Sequence, residues 1–346
     1  MSMTNERQAL MRLLCPPGAD VIDGILEGYQ RYQVLLAALD LRVFELLDER
    51  GASQYGEIAE AIGINEMFAR EFLGILVDCG LLSLEGGQYR NTRLAADFLV
   101  PASLFYQGDV VRNIAGNSFW GELSGAMARR EDSQGRRAAS GGPKSGFVTA
   151  LGQKALRGQL QAMTQAISGW RGFEKARRIL DVGGGHGLHT IALCQANPRL
   201  EGVVLDQAGV VETTRRHIAR HGLEHRVSAE VGDVSGGSLG AGYDIVLISH
   251  LLYRRHLAPV FDAVHASLNP GGVFISNHWF RAPGGEALED MGAVKALSRA
   301  FQSFKHPLCP PEEFDALLDE KGFELVSTHS SVEGFGAVRL QLAEKR

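Results

Sequence analysis

The 346-residue chain is short of cysteine, of long apolar runs and of positive charge, and each shortage removes a class of function. Its four cysteines, Cys15, Cys79, Cys194 and Cys309, stand far apart. They match neither a zinc-ligand spacing nor the dense framework of a small disulfide-stapled domain. Reduced thiols in a cytoplasmic protein are the expectation. No apolar run approaches the roughly 18 residues that a membrane-spanning helix needs. The N-terminal segment mixes Glu6, Arg7 and Arg12 with scattered apolar residues and has no signal-peptide core. Lys and Arg number 35 against 40 Asp and Glu, a formal net charge of −5, whereas a dedicated nucleic-acid binder presents a basic surface. Hydrophobic residues at 45% and charged residues at 22% are ordinary for a globular protein, which excludes wholesale disorder.

What the chain has in quantity is glycine, 42 residues, and phenylalanine, 16. At roughly 150 residues per domain its length predicts two or three domains. From Val21 to Leu47 apolar residues recur at helical spacing (Ile25, Tyr29, Tyr32, Leu35, Leu36, Leu39, Val43, Leu46 and Leu47), and Asp40 with Leu41-Arg42 divides them into two helices. Ser53 opens Ser-Gln-Tyr-Gly-Glu, a helix start with acid in its first turn. Two helices meet at Gly63-Ile64-Asn65, and the second ends at Cys79-Gly80. Glu85-Gly86-Gly87, between Leu81–Leu84 and Gln88–Arg90, predicts a hairpin. Helix, turn, helix and hairpin make the winged-helix order. Its would-be recognition helix, Asn65 to Cys79, sets Arg70 against Glu66, Glu71 and Asp78, a face that DNA repels.

A second helical region runs from about Pro101 to Trp170, interrupted by a loop over Arg129 to Gly146 that is rich in Arg, Gly, Ser and Ala. Strands and helices then alternate. The strands are Ile179–Val182, Gly202–Asp206, Arg226–Val231, Tyr243–Ile248 and Gly272–Ser276, with helices over Thr190–Gln195 and Val210–Arg220. The alternation predicts an α/β fold with a doubly wound parallel sheet. Three parts follow: a mainly α winged-helix domain over 1–105, connecting helices over 106–170, and the doubly wound domain over 171–346.

Asp181-Val182-Gly183-Gly184-Gly185-His186-Gly187 follows the first strand of that sheet and opens a helix. Glycines permit positive φ and let backbone press against a ligand. The dinucleotide fingerprint wants glycine at its first, third and sixth positions. Counted from Gly183 the sixth is Leu188, and counted from Gly185 it is Thr190, so that pattern fails. Asp181, Gly183, Gly185 and Gly187 fit acid-x-Gly-x-Gly-x-Gly instead, which resembles the S-adenosylmethionine loop of class I methyltransferases. Asp206 ends the second strand, where a carboxylate can accept both hydroxyls of a ribose. Asp233, in Val231-Gly232-Asp233-Val234, ends the third.

The chain from about residue 20 to 342 resembles the O-methyltransferase family that joins a winged-helix dimerisation domain to a C-terminal Rossmann-like methyltransferase domain. The likeness rests on Ala38–Leu47, Cys79-Gly80-Leu81-Leu82, the hairpin through Tyr89, Asn91-Thr92-Arg93-Leu94 and Phe119-Trp120. It continues through the glycine loop, Asp244–Leu252, Leu268-Asn269-Pro270-Gly271-Gly272 and Pro311–Gly322. The resemblance implies S-adenosyl-L-methionine as cofactor and S-adenosyl-L-homocysteine as product. The residues it implies for binding are Asp181, Gly183, Gly185, Gly187, Asp206, Gln207, Asp233, Val234 and Ser249, with Asp233 on the adenine amino group. It also implies methyl transfer to a hydroxyl, or a ring carbon, of a flat, largely apolar small molecule such as a secondary metabolite. The alternatives are C-methylation of a tetrapyrrole-like or otherwise pre-activated acceptor, and a relative that binds the cofactor but catalyses a non-methylating reaction.

Where the family places a base histidine after the fourth strand, this chain has Tyr253, followed by Arg254 and Arg255. Tyrosine, with an ordinary pKa near 10, is a poor base and a good hydrogen-bond donor. Tyr253 with His278 is the favoured functional pair, and His250 and Glu289 are further catalytic candidates; His256, Asp290 and His306 are weighed beside them. Phe119, Trp120, Phe147, Met163, Met291 and Phe304 are expected to line the acceptor pocket. His217, His221 and His225, spaced by four, read as a solvated helix face, and no metal is expected. The apolar helices of the first 50 residues exceed what a small winged helix can bury, so a two-fold homodimer through the N-terminal domain is expected. Neither a nucleic-acid nor a membrane partner is expected.

Overall fold

The computed structural model describes residues 17–116, 118–121, 123–127, 145–232, 239–252, 257–280, 293–294, 296–298, 300, 308–333 and 336–346. The chain divides into two compact units, Met1–Ala115 and Gly116–Arg346.

In the first unit, α1 (Ala19–Asp40) and α2 (Val43–Arg50) are separated by Arg42 in left-handed backbone (φ 59°), at the break that Asp40 and Leu41-Arg42 predict. Next come β1 (Ser53–Gln54), α3 (Tyr55–Ile62) and α4 (Glu66–Asp78). Ser53 does not start the helix as the sequence suggests. It is buried in β1 and pairs with Tyr89, while the Glu57 carboxylate accepts the Gln54 N–H (2.8 Å) to open α3 one residue later. Asn65 caps α4 by accepting the Met67 N–H at 3.0 Å. Strands β2 (Leu82–Glu85) and β3 (Gln88–Asn91) form the predicted hairpin, closed by Gly86 and Gly87 with φ of 57° and 80°. Two consecutive positive φ values suit the right-handed twist of a tight hairpin and favour this Gly-Gly pair. Helices α5 (Arg93–Phe98) and α6 (Gly108–Gly116) follow. Phe44, Leu73, Leu76, Leu82 and Tyr89 sit at the centre of this winged-helix core.

Among the described residues the second unit begins with the helices α7 (Ser118–Gly121), α8 (Leu123–Met127), α9 (Ser145–Ala155) and α10 (Gln159–Ser168). Alternation then sets in: β4 (Arg178–Val182), α11 (Leu188–Ala196), β5 (Glu201–Asp206), α12 (Ala208–Arg220), β6 (Val227–Val231) and β7 (Tyr243–Ser249). It continues with α13 (Leu257–Ser267), β8 (Leu268–Trp279), α14 (Pro311–Glu320), β9 (Phe323–Glu333) and β10 (Gly336–Lys345). The seven strands lie in the order β6-β5-β4-β7-β8-β10-β9. Strands β4 to β8 are parallel, as predicted, and β10 runs antiparallel to both β8 and β9. That antiparallel edge has no counterpart in the sequence reading, because the adjacent apolar residues Leu325 and Val326 of β9 are both exposed and give no alternation.

Side chains alternate across the sheet and fill two cores. Ile179 of β4, Ile245 and Leu247 of β7 and Val273 and Ile275 of β8 pack with α10, α11 and α12. Leu180, Val182, Val246, Ile248 and Phe274 face the opposite way, toward α13 and α14. The order of strands reverses between β4 and β7, and ligands of such sheets bind outside the strand carboxyl ends at that point. Among the described residues no helix is long and apolar enough to cross a membrane, and Cys79, Cys194 and Cys309 carry no disulfide.

Candidate active site

The glycine loop leaves β4 at the reversal point with Gly183, Gly185 and Gly187 all left-handed (φ 67°, 56° and 71°). Side chains are excluded by space as well as by φ. A Cβ at Gly183 would overlap Leu251 Cδ1, and one at Gly187 would stand 2.6 Å from Thr214 Cγ2. At Gly185 the nearest atoms to such a Cβ are 4.0 Å away, so the loop is walled at its ends and open at its middle. The Thr214 hydroxyl donates to Gly185 O (2.6 Å), and His186 Nδ1 accepts the Leu188 N–H (3.1 Å). That second bond caps α11, which therefore starts two residues before the predicted Thr190.

Two carboxylates serve this loop differently. Asp206, half-buried at the end of β5, accepts the Gly185 N–H on Oδ2 (2.8 Å) and the Gln207 N–H on Oδ1 (2.7 Å). Each oxygen keeps a lone pair for a further donor. Asp181 is 1% exposed beneath Gly184, where it accepts from the Thr190 hydroxyl at 2.8 Å. Burial pushes its carboxyl up to about 7; the Thr190 hydrogen bond opposes that shift and the Asp206 charge adds to it. A side-chain-free bend flanked by acids, with paired lone pairs on Asp206, fits a cationic nucleoside bearing a ribose diol. S-adenosyl-L-methionine is such a group.

Across the reversal point β7 ends at Ser249, and His250 follows in left-handed backbone (φ 59°), a conformation that costs a residue with a Cβ about 1 kcal/mol. The turn has a visible result. Strand alternation alone would send His250 to the face of Val246 and Ile248, yet its ring stacks on Trp279 at 4.0 Å and 25°. Its N–H donates to Asn277 O (2.8 Å), and Asn277 Nδ2 reaches Ser249 Oγ at 3.1 Å and His250 Nε2 at 3.4 Å. His278 has no exposed surface and meets Phe280 edge-on at 5.9 Å. Burial lowers His278 to about 4, and burial with nearby His278, His189 and Lys154 lowers His250 to about 3. Both rings are neutral at neutral pH.

The structure thus brings Asp181, Gly183, Gly185, Gly187, Asp206, Gln207, Ser249, His250 and His278 to the carboxyl rim of β4, β5, β7 and β8. Met163 is 4% exposed and belongs to the core with Ile167, Leu188 and Ile191, so it has almost no surface to offer an acceptor. Phe147 on α9 is exposed, and Trp120 on α7 is half-buried. Asp233, Val234, Tyr253, His256, Glu289, Asp290, Met291, Phe304 and His306, with the side chain of Phe119, lie outside the described residues. His217 departs from the solvated face expected of it. Its Nδ1 lies 2.7 Å from His186 O, and α9 comes close enough that a Cβ on Gly152 would stand 3.1 Å from His186 Cβ and 3.4 Å from His217 Cε1. Asn277 and Leu251 are site residues that the sequence reading passes over; the only signal for Asn277 is a polar residue late in an apolar strand. Among the described residues no group of three or more His, Cys, Asp or Glu is arranged to hold a metal ion.

Comparison with known proteins agrees with this geometry. Residues 24–101 match the model of the O-methyltransferase dimerisation domain, and 143–324 match that of the O-methyltransferase domain. The chain is 30% identical over 277 residues to a 3-hydroxy-5-methyl-1-naphthoate 3-O-methyltransferase of Streptomyces sahachiroi, covering 74% of this chain and 76% of that protein. It is 27% identical over 314 residues to the N,N-dimethyltransferase OxyT of Streptomyces rimosus, covering 86% and 88%. The structure of human N-acetylserotonin methyltransferase in complex with SAM superposes with a TM-score of 0.72 at 20% identity, covering 96% of this chain and 98% of that one, a likeness of fold. With both family domains matched in order along the chain, it belongs to the O-methyltransferase family and is a methyltransferase.

Proposed function

We propose that the protein transfers a methyl group from S-adenosyl-L-methionine to a hydroxyl of a flat, largely apolar aromatic small molecule. The observation that carries the reading is the left-handed glycine loop tied to the Asp206 carboxylate at the reversal point of the sheet. When bound, this cofactor supplies an electrophilic methyl carbon on a cationic sulfur. Gly183, Gly185 and Gly187 give it a surface free of side chains, and Asp206 accepts the ribose hydroxyls through the lone pairs that Gly185 and Gln207 leave. Asp181 shapes the loop from below, Ser249 borders it across the rim, and Asp233 with Val234 takes the adenine.

The acceptor sits against His250 and Trp279, with Phe147 and Trp120 as further apolar wall. The naphthoate relative's name specifies a hydroxyl on a fused aromatic ring, and a stacked imidazole–indole pair suits a planar molecule of that kind. His250 faces the acceptor, and Tyr253 and Glu289, outside the described residues, are the other candidates for the chemistry. Methyl transfer is an in-line displacement, so holding the acceptor and excluding water supplies much of the acceleration. Incubation with S-adenosyl-L-methionine and a panel of hydroxynaphthoates and hydroxyanthraquinones is expected to yield S-adenosyl-L-homocysteine in step with a methylated product, measured by mass spectrometry. Calorimetric binding of S-adenosyl-L-homocysteine with no methylated product from any acceptor would favour the non-methylating alternative. Absence of binding would remove the reading altogether.

The N-terminal unit supplies the second half of the proposal, a homodimer. Val21, Ile22, Ile25, Leu26 and Tyr29 lie along one face of α1, each more than half exposed, in the domain matched as a dimerisation module. A contiguous apolar face of this size is uncommon on a monomer. Sedimentation velocity at micromolar concentration is expected to give twice the mass of one chain. Ile25→Glu with Tyr29→Glu, which buries two charges in the contact, is expected to shift the protein to monomer. A wild-type monomer would refute this assignment.

A further inference from the structure

We propose that His217 is a positioning residue of the cofactor site: from α12 it fixes the peptide plane that follows His186, and at α9 it joins the glycine loop to the acceptor wall. The inference rests on the reading that S-adenosyl-L-methionine lies over this loop. His217 Nδ1 stands 2.7 Å from His186 O. A backbone carbonyl only accepts, so this nitrogen carries a hydrogen and donates it, whether the ring is neutral or charged. Three residues earlier, on the same face of α12, Thr214 is fully buried and its hydroxyl donates to Gly185 O at 2.6 Å. Two successive carbonyls of the loop are therefore drawn onto α12, while Asp206 takes the Gly185 N–H at 2.8 Å. A peptide plane released by its donor turns through ψ of one residue and φ of the next. Freed from His217, the plane between His186 and Gly187 would lose the φ of 71° with which Gly187 opens α11.

The same imidazole marks where α9 meets the loop. A Cβ on Gly152 would stand 3.1 Å from His186 Cβ and 3.4 Å from His217 Cε1, and a Cβ on Gly185 would stand 4.0 Å from Val148 Cγ1. Val148 and Gly152 are four apart, so one face of α9 rests on the loop at Gly185 and on the link between His186 and His217. Glycine at 152 permits this approach without displacing either histidine. Phe147 and Leu151, four apart on the neighbouring stripe of α9, are both exposed and offer the acceptor an apolar surface. The junction of Gly152, His186 and His217 thus sets the position of the acceptor wall relative to the cofactor surface. A ligand that steadies the loop steadies α9 with it, which lowers the ordering cost left for the acceptor.

Calorimetric titration of S-adenosyl-L-homocysteine into full-length variants tests the link to the loop. Asn places its amide nitrogen where Nδ1 lies, whereas Gln places its own where Nε2 lies. His217→Asn is therefore expected to bind within about twofold of wild type, and His217→Gln and His217→Leu about tenfold more weakly, the equivalent of one lost hydrogen bond. Hydrogen–deuterium exchange tests the link to α9. Saturation with S-adenosyl-L-homocysteine is expected to slow exchange over 145–155 by about threefold or more in wild type and His217→Asn, and to leave it unchanged in His217→Gln. Equal losses in the Asn and Gln variants, or wild-type affinity in His217→Gln, would overturn the proposal, as would wild-type exchange over α9 that ignores the ligand. The contrast of Asn with Gln compares two polar residues at a half-buried position, so it stands even where His217→Leu fails to fold. The underlying reading fails separately: wild-type protein that takes up no S-adenosyl-L-homocysteine would remove the cofactor from the loop, whatever His217 does.

Discussion

Asp206→Ala is expected to weaken S-adenosyl-L-homocysteine binding about a hundredfold or more while leaving the fold intact. The wild-type carboxylate is held by the Gly185 and Gln207 amides, so it pays little ordering entropy when a ligand arrives. Hydrogen bonds to a charged group contribute about 1.5–3 kcal/mol each, and two ribose hydroxyls give about 3 kcal/mol at the low end. Every 1.4 kcal/mol is about tenfold in affinity. The substitution also strips Gly185 of its acceptor, which loosens the loop at its open middle. Asp206→Asn keeps a carbonyl oxygen but loses the charge, so an intermediate loss of about tenfold is expected. Calorimetry on the purified protein separates the two, with circular dichroism to verify folding. Unchanged heats for Asp206→Ala would show that the sugar is held elsewhere, and the cofactor assignment at this loop would fall.

The contrast between Asp206 and His250 explains what the sequence could and could not disclose. Asp206 and the three glycines are local features: an acid at a strand end and a fixed glycine spacing mean the same thing wherever they sit in a parallel sheet. The Gly86-Gly87 turn is legible for the same reason, since a tight hairpin takes positive φ at both positions, and the break near Arg42 shows as an interruption of the helical spacing, its left-handed φ being visible only in the structure. His250 is different. Its face is decided by one left-handed residue that reverses the alternation of β7, and nothing in Ser249-His250-Leu251 announces that reversal. Asn277 gains its meaning only from the register that sets it opposite Ser249 in β8. His217 looks solvated on a helical wheel because the wheel omits α9, which packs over it at Gly152. The edge strand β9 is hidden likewise, because Leu325 and Val326 are both exposed and impose no pattern, whereas β10, interior in the sheet, carries the buried alternation Val338, Leu340, Leu342 that the sequence reading passes over.

Asp181 offers the other large effect, and here the sign must be worked through. Its carboxyl ionises near 3.8 when exposed and at about 7 in the folded protein, chiefly because burial disfavours the charge. Below about pH 4 the group is protonated in both states and has no differential effect. Between pH 4 and 7 the folded protein keeps a proton that the unfolded chain releases, so stability falls as pH rises through this window and stays low above it. A shift of this size corresponds to about 4 kcal/mol. Asp181→Asn keeps an oxygen to accept from Thr190 and cannot ionise. The variant is therefore expected to be the more stable protein at pH 8 and roughly equal to wild type below pH 4. Denaturant unfolding of the ligand-free protein followed by tryptophan fluorescence measures this, since Trp120, Trp170 and Trp279 all lie in the second unit. Parallel pH profiles for the two proteins would show that Asp181 is no such burden. The same variant decides why a carboxyl is placed there at all. A cationic ligand over the loop draws the proton off Asp181 and turns a destabilising charge into an attraction, so Asp181→Asn should gain stability and lose cofactor affinity together. A gain in stability with full affinity would instead reduce Asp181 to a neutral strut under Gly184, holding the loop only through Thr190.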